Sequence, residues 1–175
     1  MGDIDTGDIE RRLLKIEAIQ AIMRLKAYYA ECADDKYSDS HEKKPPRERD
    51  EVAWRQARCF TEVGEFDAGE FGSARGHQAL FENFRAKPFV FSAHFYTNPI
   101  IDVDDSYESA NGRWLMWMLA TDDRGRKPFH VCGYNFDSYQ KTKEGWLFKR
   151  VVVKTKFNVP FTEPWSHHAF VAASQ

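Results

Sequence analysis

The second half of the chain carries the feature that most restricts its fold, a succession of long segments in which apolar and polar residues alternate. Alternation with a period of two places successive side chains on opposite faces of a β-strand. The segments that show this pattern are Phe89–Val103, Ser106–Thr121, Phe129–Thr142 and Trp146–Phe157. Short turns connect them, and three long strands joined in this way indicate an antiparallel meander, because such short connections suit only antiparallel neighbours.

The first half of the chain predicts helices. Residues 9–33 place apolar side chains at steps of three and four with no glycine or proline between them, which is typical of a long amphipathic helix. The predicted apolar stripe consists of Ile9, Leu13, Ile16, Ile19 or Gln20, Met23, Ala27 and Ala30. A charged loop then leads to a short helix, a first strand and a second amphipathic helix, at Glu51–Cys59, Thr61–Phe71 and Ala74–Ala86. Helices first and long strands last favour an α+β fold, with the helices covering one face of a curved sheet.

Length, charge and cysteine content limit the classes of protein that fit. The 175 residues suit a single domain, with a core over about residues 9–157 and an aromatic tail over 158–175 that we expect to dock on the domain or on a neighbouring subunit. The formal net charge of -2 gives no electrostatic reason to expect a nucleic acid or an anionic membrane as partner. Widely spaced cysteines, an acidic N-terminus and the lack of a long apolar run predict a soluble cytoplasmic protein.

His94 lies in the middle of the first long strand, among aromatic residues. The alternation places Ser92, Tyr96 and Asn98 on the same face of that strand. An imidazole there is either a hydrogen-bonded core group or a general base in a pocket, because its ordinary pKa of about 6.5 lies near neutral pH. Asp34, at the end of the long helix, is badly placed for the helix dipole, which favours cations at that end. A histidine is its natural partner, and a polar helix end that faces water is the alternative.

Three short motifs and the order of the predicted elements carry a resemblance to a known family. The motifs are Tyr29-Ala-Glu-Cys-Ala-Asp34, Gly64-Glu-Phe-Asp-Ala-Gly69 with Arg75-Gly76-His77, and His94-Phe-Tyr-Thr-Asn98-Pro99. In this order they resemble the SnoaL-like branch of the nuclear-transport-factor-2-like superfamily, which includes scytalone dehydratase and bile-acid 7α-dehydratase. The resemblance implies a cone-shaped α+β barrel, in which a curved antiparallel or mixed sheet wraps around N-terminal helices and encloses a pocket.

The resemblance also implies catalytic residues. Enzymes of this branch use a His–Asp pair for elimination without a cofactor, and His94 and Asp34 match that pair. Tyr29 matches a tyrosine one turn before the aspartate in bile-acid-dehydratase-like members. Asn135 matches a substrate-binding asparagine of scytalone-dehydratase-like members, because it stands at the same distance before the tryptophan of the last strand.

Further residues are expected to shape the pocket. Tyr96, Trp117 and Asn98 are candidates for its walls and for substrate binding, although aromatic residues in strands often only fill the core. Ala33 and Ala68 stand where scytalone dehydratase has two tyrosines that polarise its substrate. This departure favours a bulkier or more apolar aromatic substrate.

Together these features predict a cofactor-independent lyase, either a dehydratase or a retro-aldol-type enzyme, acting on a hydroxylated aromatic or polycyclic small molecule. Neither a cofactor nor a metal ion is expected, because His167-His168 lacks a third ligand at a recognisable spacing and no phosphate-binding loop is present. A ketosteroid-isomerase-like enzyme with Asp137 or Asp102 as base is one alternative. A non-catalytic ligand-binding or assembly domain, such as the β subunit of a ring-hydroxylating dioxygenase, is another. The resemblance also implies a homodimer or homotrimer.

Overall fold

The structure is a computed structural model, and it describes residues 6–162. Its helices are α1 (Thr6–Asp34), α2 (Pro46–Ala57) and α3 (His77–Arg85). Its strands are β1 (Phe60–Asp67), β2 (Ser73–Arg75), β3 (Phe89–Val103), β4 (Ser109–Asp122), β5 (Pro128–Thr142) and β6 (Gly145–Pro160). Most of the predicted aromatic tail, from residue 163 onward, lies outside the described residues.

The described strands form one sheet in the order β2-β1-β6-β5-β4-β3. Strands β3 to β6 pair antiparallel in sequence order, as the short turns require. Strand β1 pairs in parallel with β6 and antiparallel with β2, so the sheet is mixed. The predicted α+β fold is confirmed. The meander has four strands rather than three, because Phe89–Val103 pairs directly with β4, and the sheet is not closed within the described part of the chain.

Aromatic packing fixes the end of α1 against the inner face of the sheet. The centroid of the Tyr29 ring lies 5.9 Å from that of Phe60, 6.1 Å from that of Phe84 and 5.3 Å from that of Phe148. These three phenylalanines are almost completely buried. Because burial of each large apolar side chain contributes about 1.5–3 kcal/mol, the cluster holds α1 firmly, and with it the residue at its end, Asp34.

The buried face of α1 differs from the predicted stripe. The side chains that face the core are Ala18, Ile22, Lys26, Tyr29, Cys32 and Ala33. Ile9, Leu13, Ile16 and Met23 are exposed instead. The predicted stripe is wrong because a lysine, which the pattern treats as a surface charge, belongs to the face that packs on the sheet. Among residues 6–162, no helix combines the length and the apolar character that crossing a membrane requires.

A short hairpin replaces the first turn of the predicted second amphipathic helix. Ser73–Arg75 turns back after β1 and pairs with it antiparallel. Gly76 then has a φ of 78°, a left-handed conformation that is incompatible with a helix interior but open to glycine. Helix α3 therefore begins at His77 rather than at Ala74.

Candidate active site

A cavity of about 70 Å³ lies between the end of α1 and the inner face of the sheet. Much of its wall is apolar and includes Phe66, Phe71, Phe84 and Phe89. Its polar side chains are Tyr29, Lys36, Tyr37, Gln56, Lys87, Ser92, His94 and Tyr96. A mostly apolar cavity with a few convergent polar groups is typical of a small-molecule site.

His94 lines this cavity and is hydrogen-bonded to Asp34, which is not among the lining residues. Asp34 is the last residue of α1, and His94 lies in the middle of β3. The Nδ1 atom of His94 lies 2.6 Å from Oδ1 of Asp34, and the backbone N–H of His94 donates to Oδ2 at 2.8 Å. The hydroxyl of Ser92, on the same face of β3, donates to Oδ1 at 2.7 Å. Donors from one strand therefore hold the carboxylate that the helix dipole disfavours.

This arrangement determines which nitrogen of His94 carries the proton. A carboxylate only accepts hydrogen bonds, so Nδ1 donates, and Nε2 of the neutral ring is left as a proton acceptor. The side chains of His94 and Asp34 are 15% and 28% exposed, so both are partly screened from water yet remain accessible. A carboxylate-oriented imidazole of this kind is suited to general base catalysis.

Two tyrosines line the same cavity as His94. Tyr29, one turn before Asp34, and Tyr96, two residues after His94, both line the cavity. The rings of His94 and Tyr96 are stacked with their centroids 6.1 Å apart. Burial raises the pKa of both tyrosines well above its ordinary value, so both phenols keep their protons at neutral pH and can act as hydrogen-bond donors.

A buried ion pair lies behind Tyr96, and the sequence analysis does not predict it. The Nζ atom of Lys26 donates to Oδ2 of Asp137 at 2.8 Å, with side chains only 1% and 0% exposed. The Tyr139 hydroxyl donates to the same oxygen at 2.8 Å, and the Lys26 ammonium group lies 4.0 Å from the centroid of the Tyr96 ring. The signal for this pair in the sequence is a lysine on the face of α1 that also carries Tyr29.

Neither aspartate of the isomerase alternative lines the cavity. Asp137 lies behind Tyr96, where the Lys26 ammonium group and the Tyr139 hydroxyl occupy one of its oxygens. Asp102 is exposed on β3 and borders a separate surface groove. The geometry therefore gives no support to an aspartate base in this cavity.

The predicted substrate-binding residues fall into different places. Tyr96 lines the cavity. Asn135 is completely buried on the inner face of β5 but does not line the cavity, and its side chain interacts with the Tyr96 hydroxyl. Trp117 is 40% exposed on the outer face of β4. The prediction that Trp117 lies in the pocket wall is wrong. Alternation along β4 points its neighbours Met116 and Met118 toward the cavity instead.

Asn98 is also outside the cavity. It is exposed with a φ of 50°, at an irregularity between Thr97 and Ile100 where the register of β3 against β4 shifts. Such a bulge interrupts the alternation of side chains. The predicted shared face therefore includes Ser92 and His94, and the inclusion of Asn98 is wrong.

A match to a family model identifies the family of the chain. The model for a SnoaL-like domain matches residues 47–152. The chain therefore belongs to the SnoaL-like domain family. The matched segment includes His94 but begins after α1, so Asp34 and Tyr29 reach the site from outside it. No curated protein sequence matches the chain.

Solved structures share the fold. Hexachlorocyclohexane dehydrochlorinase LinA-type3 from Novosphingobium barchaimii has a TM-score of 0.69 at 14% identity, covering 87% of this chain and 96% of that chain. A protein provisionally assigned as a scytalone dehydratase from Novosphingobium aromaticivorans has a TM-score of 0.66 at 20% identity, covering 95% and 99%. An NTF2-like protein with a cystatin-like fold from the same species has a TM-score of 0.65 at 19% identity, covering 94% and 96%. At these identities the similarity establishes the fold.

Proposed function

We propose that the chain is a cofactor-independent lyase acting on a hydroxylated aromatic or polycyclic small molecule. The observation that carries this proposal is the 2.6 Å contact between Nδ1 of His94 and Oδ1 of Asp34 at the wall of an aromatic-lined cavity. The names of two structural neighbours, a dehydrochlorinase and a provisionally assigned dehydratase, describe eliminations and support the same class of reaction.

In this proposal His94 is the general base. In a dehydration its Nε2 takes a proton from carbon, the electron pair of the C–H bond forms the double bond, and the neighbouring C–O bond breaks. The imidazolium, stabilised by Asp34, returns the proton to the departing hydroxide, which leaves as water. In a retro-aldol cleavage His94 takes the hydroxyl proton, a C–C bond breaks, and the imidazolium protonates the carbanion. The same two side chains serve both reactions.

Tyr29 is assigned to binding a substrate oxygen. Burial raises its pKa well above the ordinary value, so the phenol keeps its proton at neutral pH. Donation of a hydrogen bond to an oxygen on which negative charge develops remains favourable. Ala33 and Ala68 also line the cavity, and these small side chains leave more room there than tyrosines would.

The non-catalytic alternative makes two predictions about the geometry. It requires either that His94 and Asp34 stay apart or that aromatic side chains fill the pocket. The two side chains are hydrogen-bonded, and an open cavity of about 70 Å³ remains beside them. The hydrogen bond favours the enzymatic proposal over a ligand-binding or assembly domain.

Product formation in D₂O tests the proposal. A panel of hydroxylated aromatic and polycyclic ketones is incubated with the protein, and water loss, C–C cleavage and deuterium incorporation are followed by mass spectrometry. We expect turnover by the wild-type protein and a loss of about 100-fold or more in His94→Ala. His41→Ala is the matched control, because His41 is exposed and does not line the cavity. Activity that survives in His94→Ala would refute the proposal.

A further inference from the structure

Two lysine side chains line the same cavity, Lys36 just after α1 and Lys87 just before β3. Lys36 is 3% exposed, and its ammonium group donates to the side-chain oxygen of Gln56 at 2.6 Å. The ammonium group of Lys87 donates to the backbone carbonyl of Phe71. Each of these contacts uses one of the three N–H donors of an ammonium group. Both lysines therefore retain donors for a further acceptor.

Neither lysine makes a salt bridge within residues 6–162. Lys26, which is also buried, contacts Asp137 at 2.8 Å and shows how this protein pairs a buried ammonium group. Among the negative charges around Lys36, Asp34 favours the charged lysine most, but it is itself occupied by donors from β3. The cavity wall thus carries two ammonium groups and no carboxylate in direct contact with them.

Lys36 is buried and Lys87 is half-buried, and a cation withdrawn from water without a counter-charge is unfavourable. Burial and the neighbouring Lys87 lower the pKa of Lys36 to about 7, and burial lowers the pKa of Lys87 to about 8. A bound anion would remove this penalty, because it would supply the missing charge in a site that excludes water.

We propose that Lys36 and Lys87 form a subsite for the carboxylate of an aromatic ligand whose ring lies against Phe66 and Phe84. A carboxylate fits because it is ionised at neutral pH, whereas a phenol with a pKa of about 10 would first have to lose a proton. Its two oxygens can each accept a charge-assisted hydrogen bond. The inference rests on the proposed function in taking this cavity as the substrate site, and it specifies that the substrate of His94 is an aromatic acid.

Naphthoate and naphthamide, which have the same shape and differ in charge, test the subsite by isothermal titration calorimetry. We expect wild-type protein to bind naphthoate about tenfold or more tightly than naphthamide, because charge-assisted hydrogen bonds are roughly twice as strong as neutral ones. Lys36→Met and Lys87→Met should each abolish most of this preference. Lys44→Met is the matched control and should keep it, because Lys44 contacts Asp35 and does not line the cavity.

A second measurement uses only the wild-type protein and so does not depend on the folding of any variant. Carboxylate binding favours the protonated form of both lysines. We therefore expect naphthoate binding at about pH 8 to take up protons, and calorimetric titrations in two buffers of different ionisation enthalpy measure this uptake. Equal affinity for the two probes without proton uptake would overturn the proposal. Borohydride trapping of naphthaldehyde on Lys36, with no preference for naphthoate, would overturn it in favour of a nucleophilic lysine.

These outcomes are distinguishable from failure of the lyase proposal. Naphthoate preference that persists in His94→Ala supports the subsite even if no substrate is turned over. Turnover of neutral ketones that depends on His94, with no preference for naphthoate, would support the lyase and refute the subsite.

Discussion

Asp34 and His94 are joined by two hydrogen bonds, one from the imidazole and one from the backbone N–H of the histidine. The two residues are 60 positions apart in the chain, so the contact forms only when α1 packs on β3. Because both carboxylate oxygens are used, the contact fixes the position of the helix end and the orientation of the ring together.

Asp34→Asn replaces the carboxylate with an amide of the same shape. The amide can donate to Nδ1 as well as accept from it, so the proton of His94 is no longer held on that nitrogen. The charge that stabilises the imidazolium is also lost. We expect kcat to fall by roughly 10²–10⁴-fold with little change in KM.

The control for this variant is Asp35→Asn. Asp35 is the adjacent residue, but it pairs with Lys44 and Arg55 and does not line the cavity. Its replacement should leave kcat within about twofold of the wild-type value, because a partly exposed ion pair contributes little. Equal losses in the two variants would contradict the role of Asp34.

Ser92→Ala removes one donor to Asp34 while leaving both contacts from His94 in place. The carboxylate then gains rotational freedom, and we expect kcat to fall by about three- to tenfold, corresponding to one hydrogen bond of modest net strength. Ser92→Thr, which keeps the hydroxyl, should restore most of the rate. A change in KM alone, with kcat intact, would indicate that Ser92 acts on substrate binding instead.

Lys26→Met leaves the charge of Asp137 buried without a partner, and we expect the free energy of unfolding to fall by about 3–5 kcal/mol. Adding Asp137→Asn removes the charge but keeps an acceptor for the Tyr139 hydroxyl, so the double variant should recover most of the loss. Urea denaturation measures both. Lys15→Met, which breaks an exposed contact with Asp105, should change the free energy of unfolding very little. Equal stability of the Lys26 and Lys15 variants would count against the buried pair.

The lowered pKa of Lys36 predicts a stability that rises with pH. The unfolded chain keeps this proton up to the ordinary pKa of 10.5, whereas the folded protein releases it above about 7. Between these values the unfolded state binds more protons, so the free energy of unfolding rises by at most about 1.4 kcal/mol per pH unit. Methionine carries no charge, so Lys36→Met should have a higher free energy of unfolding than wild type at about pH 7. Urea unfolding at about pH 9 should show that this difference has shrunk. Parallel pH profiles would contradict this.

The outer face of the sheet carries an apolar patch that we propose as the contact between copies of the chain. Phe95 and Trp117 are direct partners across β3 and β4 and are 51% and 40% exposed, and Phe136 on β5 is 45% exposed. Light scattering should give the mass of a dimer or trimer, and Phe95→Glu combined with Trp117→Glu should give a monomer. Val63→Glu, at another exposed apolar position, should leave the mass unchanged. A monomeric wild-type protein would refute the proposal.

The strands could be predicted closely from the sequence because their alternation is nearly unbroken. The bounds of β3 agree with the predicted Phe89–Val103, and the neighbouring strands shift by only a few residues. The start of α2 was harder to predict, because Pro46 is typical of a loop in the sequence but also suits the first turn of a helix. Asn98 was misplaced because the alternation was extended through Pro99, which cannot donate a ladder hydrogen bond and marks the bulge beside it.

The geometry of His94 and Asp34 agrees with what the resemblance and the unfavourable helix dipole indicated. The buried lysines could not be predicted in the same way. Lys26 is stabilised by Asp137, 111 positions away, and a partner at that distance leaves no local periodicity. Lys36 follows α1 in a charged stretch, where a lysine is typical of a solvated surface. Tertiary structure alone turns these side chains inward.

The ion pair of Lys26 and Asp137 restricts how this protein can acquire new specificities. Tyr96 separates the cavity from the pair, so any substitution that deepened the cavity there would have to accommodate two buried charges. Enlargement at Phe71 meets no such obstacle, because Lys87 donates to its backbone carbonyl, whereas the Phe66 ring centroid lies 5.3 Å from that ammonium group. Divergence toward larger substrates is therefore expected to proceed by substitutions at Phe71, with Tyr96, Lys26 and Asp137 unchanged.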